Sequence, residues 1–281
     1  MKLPFNFFLI SNHLPGTASA FFISSTGKIA LFFFFILAGV MAYRSKKFLW
    51  KKSREETEED LEDPAETEGV EKIMKKCKTH LNETLMQTEN LFTLGLSGFI
   101  AEDLTEMKNC INLKTELTDN LEKVKNKVFR TASAFDSSAY SGHYYVELKD
   151  YQFRMIAAVS LLLTPLYEHL SNSHKPFVKS QKEELTRLEK EVSRFFTLSR
   201  SIIQNNKFNE IENLAKLHNT ITEMLENMEV AQIKRIKTKQ VNTRNSVLFL
   251  NTLSETKNML NQNESLVKSY KNLTTVLTTK N

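Results

Sequence analysis

Few residues in this chain combine the types and spacing that chemistry needs. His143 and Glu147 stand four apart, which puts an imidazole and a carboxylate on one face of a helix. Glu168 and His169 are neighbours, and His174 follows shortly after them. Imidazole and carboxylate are ordinary ligands for divalent metals, so each group is a candidate fragment of a metal site. Neither completes a ligand set, and the reading adopted is a surface histidine or a loop hydrogen bond. Glu102 and Glu106 repeat the four-residue spacing with two carboxylates. Cys77 and Cys110 come with no CxxC and no Cys/His zinc spacing. Both are expected to be reduced and partly buried, in a reducing compartment.

The motifs that mark an enzyme are missing. The chain has no nucleophile elbow, phosphate-binding loop, GxGxxG or HExxH. No acid–base or nucleophile constellation is recognisable either. The expectation is therefore a protein that is not an enzyme, with no catalytic residue, no cofactor and no bound metal. Asn82, Asn263 and Asn272 each open an Asn-x-Ser/Thr sequon, read as chance matches in a cytoplasmic helical domain. The net charge of +5 comes from lysines interleaved with glutamates. A nucleic-acid partner would need basic residues on one face with stacking aromatics, so none is expected.

The elements that must position these residues are helices. Glycine and proline number 7 and 5 in 281 residues, and no glycine follows Gly142. A β-rich domain would need turn residues about every 8–12 positions. Residues 29–43, IALFFFFILAGVMAY, carry no charge. Extended back past Lys28, whose stem can reach the interface, they predict a transmembrane helix at about 21–43. Arg44, Lys46, Lys47, Lys51 and Lys52 follow at once, which places the remainder on the cytoplasmic side. Two alternatives rank lower. One is a signal peptide ending at Ala18-Ser19-Ala20, interrupted by Asn6, Asn12 and His13; the other is a further membrane or re-entrant remnant over residues 4–23. Residues 53–69 are dense in Glu and Asp and broken by Pro64 and Gly69, as in a solvated linker. The organisation read from the sequence is a membrane region over 1–52, an acidic linker over 53–69 and a helical domain over 70–281.

Six amphipathic stretches make up that domain. The first, 70–94, turns Ile73, Cys77, Leu81 and Leu85 inward and ends at a loop over 95–98. The second, 103–129, opens on Asp103 and Glu106 at capping-box spacing, and a loop over 131–142 follows. The third, 143–170, is apolar on more than one face and therefore central, with a kink expected at Pro165. Its uncharged run at 155–167 is too short for a membrane span. Ser180 with Glu183 opens the fourth, and Asn209 with Glu212 the fifth. The fifth turns Ile211, Leu214, Ile221, Leu225, Met228, Ile233 and Ile236 inward, and gathers Lys234, Arg235, Lys237 and Lys239 at its end, where the helix dipole favours cations. The sixth covers 245–273. Six such helices with short connections predict an all-α domain of two antiparallel three-helix bundles.

Two stretches carry a family resemblance: YYVELKDYQFRMIAAVSLLLTPLYEHLSNSHKPF at 144–177 and QIKRIKTKQVNTRNSVLFLNTLSETKNML at 232–260. They resemble the PhoU-like cytoplasmic domain at the C-terminus of bacterial PiT-type inorganic phosphate transporters. The order of anchor, charged linker and helical domain is similar to the end of such a transporter, and the likeness covers about two-thirds of the chain. The resemblance implies a last membrane segment plus a regulatory or oligomerisation module in the bacterial inner membrane. Its partners would be the lipid bilayer and either the transporter core or a second copy, with phosphate reached only through the transporter. The repeated Gly-Ala-Asn-Asp type signature of the family's transport core is missing, so the expectation is a truncated or split product. PhoU-type metal motifs pair acidic residues four apart on helices, and in the helical domain only Glu102 with Glu106 has that spacing. Metal binding is therefore not implied. The alternative function is a single-pass anchored helical scaffold that binds partner proteins and is unrelated to phosphate.

Overall fold

The computed structural model describes residues 69–125, 127–133, 135 and 139–278. The expected transmembrane helix and, apart from Gly69, the acidic linker lie outside them. Every element among the described residues is helical, in line with the all-α expectation: α1 (Val70–Ile100), α2 (Leu104–Lys125), α3 (Val128–Ser133), α4 (Ala139–Ser171), α5 (Lys179–Asn205), α6 (Ile211–Lys237) and α7 (Thr243–Thr278). A single 3₁₀ turn, Phe208–Glu210, leads into α6. No described helix is long and apolar enough to cross a membrane.

The loop expected at 95–98 does not form. Gly95 and Gly98 are buried inside α1, which continues to Ile100. Here glycine provides room rather than a turn. A Cβ on Gly95 would stand 2.0 Å from Leu163 Cδ2, and one on Gly98 would stand 3.2 Å from Glu106 Cγ. The two glycines let α4 and α2 pack close against α1, which outweighs their poor helix propensity of about 1 kcal/mol.

Other boundaries move for local reasons. Asp103 caps α2 as expected, its Oδ1 accepting from the backbone N–H of Thr105 at 2.9 Å and Glu106 at 3.0 Å. The expected second helix is split, however, since α2 ends at Lys125 and α3 occupies part of the expected loop. Ser180 and Glu183 do not open α5. Its N-cap is Val178, whose N–H donates to Gln181 Oε1 at 3.1 Å, so glutamine supplies the reciprocal arm of a capping box. Asn209 belongs to the 3₁₀ turn and does not cap α6. The helix α4 runs on through Pro165, which has no N–H to give Leu161. Asn251 Nδ2 on α7 donates to the Leu161 carbonyl instead, at 3.3 Å.

The most extensive helix packing crosses between two triplets. Helices α1, α2 and α4 pack pairwise, and so do α5, α6 and α7. Two seams join them, α4 along α7 and α1 along α5. Side-chain pairs give the directions. Ser269 reaches Glu147 while Asn251 reaches Leu161, so α4 and α7 are antiparallel. Thr84 meets Gln152 and Gly95 meets Leu163, so α1 and α4 are parallel. The buried apolar residues of all these helices form one continuous core. Helix α4 touches α1, α2, α3 and α7, which is why its sequence is apolar on several faces.

Candidate functional site

The densest buried polar chemistry lies at one end of the domain, where the start of α5, the end of α6 and the start of α7 meet. The α6 periodicity turns Gln232 and Arg235 into the core with Leu214, Ile221, Leu225 and Met228. Arg235 forms an ion pair with both carboxylate oxygens of Glu184 on α5, and the two side chains are 7% and 12% exposed. Arg235 Nη1 also donates to Gln232 Oε1 at 2.8 Å, and that oxygen accepts from Gln181 Nε2 at 3.1 Å. Gln232 Nε2 then donates to Ser246 Oγ at 3.1 Å, and Ser246 Oγ donates to the Asn242 carbonyl at 2.8 Å. The guanidinium stacks over Phe249, 5.4 Å from the ring centre.

Aromatic rings continue this cluster into α1 and α4. Phe249 packs edge-on to Phe177 and Phe177 edge-on to Phe99, with centroids 5.7 and 4.9 Å apart. His169 lies beside Phe177 at 6.0 Å and donates from Nε2–H to the Lys175 carbonyl at 2.9 Å. Burial lowers the His169 pKa, while the hydrogen bond to Lys175 opposes that shift. His174 Nε2 accepts from Arg244 Nη1. Asn245 Nδ2 donates to the carbonyls of Lys175 and Pro176 at 3.1 and 3.0 Å, fastening α7 to the α4–α5 connection.

The residues singled out in the sequence do not converge. His169 and His174 share this end, with ring centres 5.3 Å apart, but each has its own partner. His143 and Glu147 do pair, at 3.3 Å, near the opposite end of α4, where Glu147 also accepts from Ser269 Oγ at 3.1 Å. Glu102 is not on a helix with Glu106. It occupies the turn after α1 with φ 58° and pairs with Lys182 at 2.6 Å, so the four-residue spacing has no shared face. No group of three or more metal-ligating side chains occurs among the described residues. Cys77 and Cys110 are free and buried. Cys110 Sγ donates to the Leu91 carbonyl at 3.4 Å, and burial pushes its pKa up to about 12.

Buried charges, Arg235 and Lys149 among them, were not legible in the sequence. Ile233 and Ile236, expected inward, are 45% and 41% exposed, and Gln232 and Arg235 take the inward positions. Exact three- and four-residue spacing from Leu225 and Met228 pointed to them, but residue type did not. Lys149 lies on α4. It is 5% exposed, its ammonium lies 5.6 Å from the Tyr145 ring centre, and it forms no ion pair among the described residues. Desolvation lowers its pKa, opposed by Cys77, whose own pKa burial raises.

Compared with protein-family models, with curated proteins and with solved structures, the chain matches none. The class that fold and site define is an all-α protein whose described helices share one core, closed at one end by a buried polar and aromatic cluster.

Proposed function

We propose that this chain is a membrane-anchored part of an inorganic phosphate transporter, and that its helical domain is a cytoplasmic regulatory or oligomerisation module. One observation carries the reading. The two stretches that resemble PiT-type transporters, 144–177 and 232–260, meet at the closed end through Asn245 with Lys175 and Pro176, and through Phe249 with Phe177. The pairing of six long helices into two triplets supports the PhoU-like description as two three-helix bundles. The bilayer, and the transporter core or a second copy, are the partners in this reading, and the bacterial inner membrane is the location. Arg235 and Glu184 already satisfy one another, which suits a module that transmits contact rather than one that performs chemistry.

The test is chromosomal removal of residues 70–281, followed by measurement of phosphate uptake and its response to phosphate limitation. Uptake or its regulation should change. If both persist unaltered, the reading fails. A second reading, an anchored scaffold unrelated to phosphate, is favoured by the exposed Val230 and Ile233 on α6. Recovery of transporter subunits with the tagged chain would count against it.

A further inference from the structure

The outer face of α6 is exposed and patterned in charge. Opposite the buried stripe of this helix, Glu223, Glu226, Val230, Ile233 and Lys237 recur at alternating spacings of three and four, with Lys234 beside them, and all are exposed. That spacing is the seam of a two-stranded helical pair. Val230 at its centre is 71% exposed. The charges are antisymmetric about Val230. Glu223 and Lys237 lie equally far before and after it, and so do Glu226 and Lys234. A twofold interface must be self-complementary, and this pattern is what an antiparallel pair of identical helices requires.

We propose that a second copy of this chain docks on this face, α6 against α6, with the twofold axis at Val230. Glu223 then meets Lys237 of the second copy and Glu226 meets its Lys234, while Val230 packs on Val230. Glu223, Lys234 and Lys237 make no ion pair among the described residues that would have to be given up. Glu226 pairs with Lys257 at 3.6 Å, but both side chains are exposed, and such pairs contribute little. One helix face forms a small interface, so association is concentration-dependent and is read at high chain concentration. The proposal deepens the oligomerisation role given above and rests on that reading for its purpose, not for its geometry.

The test uses the full chain in detergent. Val230→Cys should cross-link to a dimer under mild oxidation. Lys216→Cys should not, since its two copies would stand about 40 Å apart at the helical rise. A Lys234→Glu/Lys237→Glu variant and a Glu223→Lys/Glu226→Lys variant should each sediment as monomers, and an equimolar mixture should form a heterodimer. Absence of the Val230→Cys cross-link overturns the proposal, and so does failure of the mixture to associate. Dimers that ignore the charge reversals would mean that another surface joins the copies, and would also overturn it. Phosphate uptake is read separately, so an altered uptake with a monomeric chain sinks this inference and spares the functional reading.

Discussion

At the scale of the residue, a buried ion pair and the buried Lys149 ammonium behave oppositely. Arg235 and Glu184 are paired out of water, so removal of one leaves the other stranded. Arg235→Ala should cost about 3–5 kcal/mol in denaturant unfolding, and a joint Arg235→Met/Glu184→Leu change should recover most of it. Lys149 has no such partner, and its pKa is lowered by desolvation. Between the folded and the ordinary lysine value, the unfolded chain binds more protons, so this group makes stability rise with pH through that window, and its penalty is constant below it. Cys77, Tyr145 and Tyr270, whose pKa values burial raises, act in the other direction: their contribution is whole below their unfolded values and fades as pH rises. The comparison of variant with native chain isolates the lysine. Lys149→Met should stabilise by about 1–3 kcal/mol at neutral pH, with the advantage shrinking at alkaline pH in thermal melts.

At the scale of the element, helix ends are built almost without glycine. Glu102, Ser173, Asn206 and Lys239 hold positive φ of 58°, 52°, 51° and 56° just beyond α1, α4, α5 and α6. In each case the next residue's N–H reaches back to close the last turn, as from Gln240 to the Arg235 carbonyl at 3.0 Å. Left-handed backbone strains a residue that carries a Cβ. Lys239→Gly should therefore stabilise by up to about 1 kcal/mol, measured as a shift in denaturation midpoint without a change in slope. Gly95 is the converse, a glycine inside a helix. Gly95→Ala should destabilise by about 1–3 kcal/mol because its methyl enters the space of Leu163. Adding Leu163→Val, which leaves no δ-carbon at that position, should restore part of the loss.

At the scale of the whole molecule, the two triplets share one core. The helices α4 and α7 pack along one another, and both carry fully buried side chains, including Leu162, Leu166, Phe249 and Leu253. Neither triplet can lose this seam without exposing the other. Phe249→Ala, which also removes the ring beneath Arg235, should lower stability by about 3–5 kcal/mol while unfolding stays a single transition. Coincidence of far-ultraviolet dichroism with protection of amides in α1 and α6 would check this, and two separate transitions would show that the triplets fold apart.

Helix type and inward face were readable because both follow from local periodicity. Ile73, Cys77, Leu81 and Leu85 on α1, and Leu185, Leu188, Val192 and Phe195 on α5, are buried as their spacing predicts. The Asp103 cap was readable for the same reason, since a short acceptor side chain before a helix serves its own N–H groups. What the sequence could not decide were the features that depend on a distant neighbour. Whether Gly95 makes a turn or makes room depends on Leu163 coming close in space. Whether Arg235 faces water or core depends on Glu184 and Phe249 lying opposite it. Pro165 leaves a carbonyl open within its own helix, and only the packing of α7 supplies Asn251 to meet it. Periodicity is a property of one segment, whereas the partner of a buried charge, a glycine or an open carbonyl is set by the packing of several segments together.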